Sequence, residues 1–408
     1  MTFLVQRFRV GRVVPILVII WVCLLLRLIS SEKLISSKGM IAMCTAAVTT
    51  YQGLYVQRFF LGFVESVIPT TFMTVISSYY TQREQAFRQS WWFSSTGIFT
   101  IIGGALSYGF SRITSGDLKR WQYIYLFAGA LTVCFGIFCF TIPDSPMNAW
   151  FLTQEEKIVA VERLRQSQTG VRNHKIKLHH VKNALMDIKF YLIFVMMSTA
   201  YTVNGAVSGF GPLIVNTFGW STLDSVLWQF PLGGVVLVFI LLTGFISSRR
   251  TGLIIPQLIL CALPVIAGCA MIWRSTWSHH AATPVAGYTL IGFFGPVVSL
   301  IIVAGMSNVA GQTKKSLMAA NIFVAYAVGN IIGPNLIKTQ TKKRHYPELW
   351  LGLIICYCIL IVTSCVWYVV LRRENARRDR LDLSEVVRDE VAFEDKTDDE
   401  NMYFRYVL

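Results

Sequence analysis

The stretch YVQRFFLGFVESVIPTTFMTVIS, residues 55–77, is long enough to cross a bilayer, yet it carries Arg58 and Glu65. About 20 apolar residues in a helix span the roughly 30 Å hydrocarbon core. Charges inside such a segment are costly and as a rule face a protein interior or a wet cavity. Arg58 and Glu65 are seven residues apart, about two helical turns, so they share one face with Gly62 between them. The segment therefore reads as a membrane helix with a polar face turned inward.

The rest of the chain fits that reading. Of 408 residues, 54% are hydrophobic and only 14% charged, with a mean hydropathy of +0.53. A series of membrane-length apolar stretches excludes a soluble multidomain protein. We read ten spans, at 12–50 (interrupted), 54–78, 91–113, 122–142, 190–210, 224–246, 253–273, 284–306, 316–337 and 349–371. The fold class is an all-α polytopic membrane protein. All nine cysteines fall in apolar stretches, so they read as packing residues and not as a disulfide framework.

Basic residues set the orientation. Arg7, Arg9 and Arg12, then Arg83 and Arg88, eight Lys/Arg between 143 and 189, Arg249 and Arg250, Lys314 and Lys315, and the arginines after 371 fall on one side. The positive-inside rule makes that side cytoplasmic and puts both termini there. The net charge of +15 is spread over these loops, which points to membrane orientation and not to nucleic acid.

The chain divides into an N-terminal bundle (1–142), a cytoplasmic central loop (143–189), a six-span bundle (190–371) and a cytoplasmic tail (372–408). In the loop, Thr153 and Glu156 form a capping box ahead of an apolar stripe of Ile158, Val161 and Leu164, a short helix expected to pack under the bundle. From Leu381 to Asn401 the tail holds nine Asp/Glu against two Lys/Arg and reads as solvated and partly disordered.

Four spans ahead of the loop and six after it are unequal, whereas many transporters have two six-span halves with the site between them. Two further spans ahead of residue 1 are expected, making twelve. The first span is interrupted by VCLLLRLISSEKLISSK (22–38), which places Arg27, Glu32, Lys33 and Lys38 in lipid. Without it, residues 11–21 and 39–50 make one apolar span. The segment begins Val-Cys and ends in Lys, as a retained intron with GT and AG ends can, and we read it so.

Several motifs carry a family resemblance: RFFLGFVES with Pro69, SSYYTQREQAFR, FSSTGI…GGALSYG, PDSP…WFLTQEEK, NVAGQTKKS, VGNIIGP and the terminal FRYVL. Together they resemble the major facilitator superfamily, in its fungal allantoate permease-like branch of anion:cation symporters. LVQRFRVGR is similar to that family's loop between spans two and three, with Gln6 where the wider pattern has an acid. The resemblance implies proton-coupled uptake, at the plasma membrane, of a small carboxylate such as allantoate, ureidosuccinate, nicotinate, pantothenate or biotin, by a monomer. A second reading stays open: a non-transporting membrane protein, either a sensor or the inert product of an incomplete gene model.

Under the transporter reading, Arg58 fixes a substrate carboxylate, which its planar guanidinium suits, or affects protonation, and the family's positive charge at this position supports that reading. Glu65 is then the proton-coupling candidate. The structural alternative is an ion pair, or Arg58 snorkelling to the interface. Tyr201, Asn204 and Ser208 share one face of span 190–210, which by the resemblance lines the cavity; a polar stripe serves equally as contact between helices. Ser299 and Asn330 are further candidates, and Gly329 and Gly333 form a small-xxx-small pair for close packing. All six histidines lie in loops without metal-ligand partners at useful spacing, His179-His180 reading as solvated. With no phosphate-cradling Gly-Lys-Ser/Thr motif either, we expect no enzyme, no cofactor and no ATP-driven pump.

Overall fold

A computed structural model describes residues 65–113, 120–141, 146–165, 175–250, 252–275, 282–338, 345–381 and 394–408, with residues 16–17, 55, 59, 62–63, 143, 277 and 340–341. Arg58 and the segment 22–38 lie outside the described residues.

The first group of helices is α1 (Val67–Tyr79), α2 (Gln82–Phe93), α3 (Ser95–Ser111) and α4 (Arg120–Cys139). Thr71 Oγ1 has no partner among the described residues, but two other hydroxyls of α1 bond within the helix: Thr70 donates to the Ser66 carbonyl at 2.9 Å and Thr74 to the Thr70 carbonyl at 2.8 Å. Such back-bonding lets an apolar helix carry Thr without a partner on another helix. Helix α2 starts well before the apolar run, at a capping box in which the Thr81 amide donates to Glu84 at 3.2 Å. Its polar first turns are held because Gln85, Gln89 and Ser90 are buried. Ser94 keeps helical dihedrals, so α2 and α3 run on as one rod.

The central loop holds α5 (Gln154–Arg165) and α6 (Leu178–Met186). The capping box is formed, with the Thr153 amide donating to Glu156 at 2.8 Å and the Glu156 amide to the Thr153 hydroxyl at 3.3 Å. Of the stripe, Val161 and Leu164 are half-buried but Ile158 stays 68% exposed, and α5 meets α2 through Arg163 and Glu84.

The second group is α7 (Ile188–Asn216), α8 (Thr222–Leu227), α9 (Gln229–Arg249), α10 (Ile254–Arg274), α11 (Ala282–Ile291), α12 (Phe294–Ser307), α13 (Gln312–Asn335) and α14 (Pro347–Asp379). Among the described residues six helical stretches are long and apolar enough to cross a membrane, and all six lie in this half. Every residue of α12 is buried, which makes it the centre of the core. Helix α14 is about 50 Å long at 1.5 Å per residue and so outruns the hydrocarbon.

Helices α7 and α13 cross in backbone contact. A Cβ on Gly333 would meet the Thr202 carbonyl oxygen at 2.4 Å and the Ala206 amide at 2.7 Å, and one on Gly329 the Ser198 carbonyl oxygen at 2.6 Å. Backbone atoms cannot step aside as a flexible side chain can. We expect Gly333→Ala to destabilise the solubilised protein by about 1–3 kcal/mol through overpacking. Gly103→Ala, where nothing lies within 4 Å, should leave the midpoint unchanged or raise it. Thermal unfolding in detergent separates the two, and equal midpoints would show that the crossing relaxes freely.

The two groups meet along α2–α3 and α9. Arg83 Nε donates to the Ser248 carbonyl and Nη2 to the Arg249 carbonyl, both at 2.9 Å; Gln82 donates to the Ser307 carbonyl at 2.8 Å. Deeper in, Ser90 Oγ and Ser299 Oγ lie 3.0 Å apart.

The tail departs from the sequence reading. Residues 394–408 fold back under the second group, with Asp398, Phe404 and Tyr406 buried. Two asparagines read its backbone. Asn308 pairs with Val407 through both its amide nitrogen (2.9 Å) and oxygen (2.7 Å), and Asn375 pairs likewise with Tyr406 (2.8 and 2.9 Å). The acidic run is neutralised from afar. Lys189 and Lys314, at the starts of α7 and α13, both contact Asp187, Asp398 and Asp399. Composition sees an acidic run, whereas the fold supplies its buried counter-charges.

Candidate functional site

A cavity of about 260 Å³ lies between the two groups of helices. Glu65, just ahead of α1, stands in its wall with Pro69 and Met73 of that helix; Trp92 comes from α2 and Thr96 from α3. The other group contributes Met197 and Tyr201 of α7, Ile302 of α12, and Phe323 and Tyr326 of α13. The second side is an aromatic wall. Tyr201 and Tyr326 meet edge to face with centroids 4.5 Å apart, and Phe323 stacks on Tyr326 at 5.0 Å. The carboxylate comes from the first side, with Ser95 and Thr96 also in its lining, and the paired tyrosines come from the second. A mostly apolar pocket with a few convergent polar groups is the usual form of a small-molecule site.

The sequence candidates separate on this geometry. Glu65 and Tyr201 line the cavity. Asn204 and Asn330, one turn beyond Tyr201 and Tyr326, lie outside its lining: Asn204 Nδ2 donates to Asn330 Oδ1 at 3.0 Å, tying α7 to α13. Asn330 Nδ2 donates to the Tyr326 carbonyl at 3.0 Å, bracing the helix that carries the tyrosine. Ser299 is buried and holds Ser90, so it joins the two groups away from the cavity. Ser208 lies further along α7, its side chain outside the described residues. Trp92, Thr96, Phe323 and Tyr326 were not singled out from sequence. Only Tyr326 left a signal there, a polar aromatic one turn before Asn330 on a glycine-bearing span.

A family model described as Major Facilitator Superfamily matches residues 1–334. The chain belongs to this superfamily. It is therefore a polytopic membrane transporter of small molecules. Among its relatives in the superfamily is the allantoate permease of Saccharomyces cerevisiae, 32% identical over 385 residues, which cover 90% of this chain and 70% of that protein. The thiamine pathway transporter of the same yeast is 30% identical over 411 residues, 100% of this chain and 74% of the relative. Among solved structures of the superfamily, the proton:xylose symporter XylE superposes with a TM-score of 0.66 over 90% of this chain and 81% of that one, at 13% identity. That likeness speaks for the fold, and the cavity lies where the superfamily's two halves meet.

Proposed function

We propose that the protein is a proton-coupled importer of a small organic anion, a carboxylate of the allantoate type, at the plasma membrane with both termini in the cytoplasm. The observation that carries this is Glu65 in the cavity wall. A carboxylate substrate and an ionised Glu65 in one cavity repel each other. At a separation of about 6 Å and an effective dielectric near 20 the penalty is about 3 kcal/mol. The anion therefore binds best when Glu65 holds a proton. By linkage, protonation favours the anion by the same factor that the anion favours protonation. Proton and anion then load together, which is the logic of symport. The allantoate permease, at 32% identity, supports the substrate class.

Alternating access needs a closure on each side of the cavity. The Arg83 and Gln82 contacts to the ends of α9 and α12 supply one of them, on the side that the basic loops make cytoplasmic. Arg58, two turns before Glu65, is the proposed anchor for the substrate carboxylate. A lost bidentate, charge-assisted contact lowers affinity by roughly ten- to a hundredfold. The experiment is competition for uptake by an acid and its neutral amide, in wild type, Arg58→Lys and Arg58→Gln at matched surface expression. Wild type should prefer the acid, Arg58→Gln should lose that preference, and Arg58→Lys should recover part of it. An unchanged acid preference in Arg58→Gln removes Arg58 from the site. No uptake of any carboxylate by wild type removes the substrate class.

A further inference from the structure

Of the histidine pair that the sequence marks as solvated, His179 is exposed but His180 is not. His179 and His180 sit in the first turn of α6, and His180 is fully buried. Neither ring nitrogen of His180 has a hydrogen-bond partner among the described residues. An orphaned buried polar group costs about 1–3 kcal/mol, so two on one imidazole call for a missing partner. Glu400, from the docked tail, faces the pair: its Oε1 lies 3.6 Å from His179 Nε2 and its Oε2 4.0 Å from His180 Nε2. One donor atom from each of the three residues lies within 4.8 Å of the others. Glu400 Oε2 is itself oriented by the Thr397 amide at 3.0 Å.

We infer that His179, His180 and Glu400 form a divalent-metal site, of zinc type, that staples the C-terminal tail to the central loop. Two imidazoles and a carboxylate are a common zinc donor set. Zn–N bonds of 2.0–2.1 Å put tetrahedral ligand atoms about 3.3 Å apart, so the 3.6 and 4.0 Å separations to Glu400 need to close by about 0.3 and 0.7 Å. Burial holds the His180 imidazole below its ordinary pKa, against the pull of Asp395 and Glu400, and so keeps it in the neutral form that ligates. Asn183, one turn on, adds a buried carbonyl oxygen without a partner. The neighbouring carboxylate cluster of Asp187, Asp398 and Asp399 differs, because the ammonium groups of Lys189 and Lys314 already fill it.

The test uses the full chain in detergent, purified through a tag without histidine and stripped with EDTA. Titration with Zn²⁺ against a chromophoric chelator should show one ion bound per chain, and Co²⁺ should give the visible absorption of a low-symmetry site. Zn²⁺ should also slow tryptic cleavage at Lys396 in wild type, since it pins the tail at Glu400, four residues on. Glu400→Gln, which keeps the side-chain volume, should lose both the tight Zn²⁺ binding and the protection. His180→Ala should do the same. Wild type that binds no stoichiometric Zn²⁺ overturns the proposal and leaves His180 and Glu400 as neighbours without a shared ligand. So does Zn²⁺ binding that is unchanged in Glu400→Gln and in His179→Ala/His180→Ala.

Discussion

Asp398→Asn should release the C-terminal tail from the bundle. The carboxylate is fully buried, and it accepts from Lys314 Nζ at 2.9 Å and from the Tyr406 hydroxyl at 2.9 Å, besides pairing with Lys189. Asparagine keeps the shape and removes the charge. Lys189 and Lys314 are then left with Asp187 and with Asp399, whose side chain is 39% exposed and well screened. Breaking a buried pair from one side costs about 3–5 kcal/mol, which is about a hundred- to several thousandfold in the docking equilibrium. The tail ends the chain, so the cheapest response is local undocking and not global unfolding. Faster tryptic cleavage at Lys396 measures it. Glu394→Gln, which removes the exposed pair with Lys396, should change the rate little. Cleavage of Asp398→Asn at the wild-type rate would show that the asparagine clamps alone hold the tail.

The pH dependence of docking follows from the same cluster. Burial pushes the Asp398 carboxyl up, but Lys189 and Lys314 outweigh that and hold it at about 2. A carboxyl held down in the folded state stabilises fully above its ordinary range and loses that contribution only as pH falls towards 2. Through Asp398, then, the tail stays docked across the physiological range.

These features mark where the sequence stops being legible. The six spans of the second half are written in local hydropathy, because each helix must satisfy its own backbone in lipid. The capping box at Thr153 and the Gly329/Gly333 pair are equally local, a fixed spacing on one helix. What the sequence conceals is long-range pairing. The acidic tail looks solvated because its lysines lie more than eighty residues away, and His180 looks exposed because Glu400 lies on another segment. In the cavity, Glu65 was visible as a charge that a membrane span can least tolerate. Trp92 and Phe323 were not, because an aromatic residue facing a cavity reads the same as one facing lipid. Asn204 and Asn330 show the converse: both looked like cavity residues, and they bond each other across the α7–α13 crossing.

Glu65→Gln should abolish accumulation while sparing exchange. Glutamine keeps the size of the side chain and stands in for the protonated acid, so the variant binds the anion without the repulsion that an ionised carboxylate imposes. Its affinity should therefore be independent of pH, where the wild type gains affinity as the outside becomes acidic. What the variant lacks is a group that changes protonation between the two faces of the membrane. Movement of substrate then carries no proton, and a pH gradient can no longer drive it uphill. In wild-type proteoliposomes an acidic exterior should concentrate labelled anion inside. In Glu65→Gln the inside-to-outside ratio should settle near that of passive equilibration, while counterflow between labelled and unlabelled substrate persists. Counterflow is the control for folding, since a misfolded variant loses both. If Glu65→Gln still concentrates substrate with its pH dependence intact, the coupling proton resides on another group, and Glu65 only shapes the cavity.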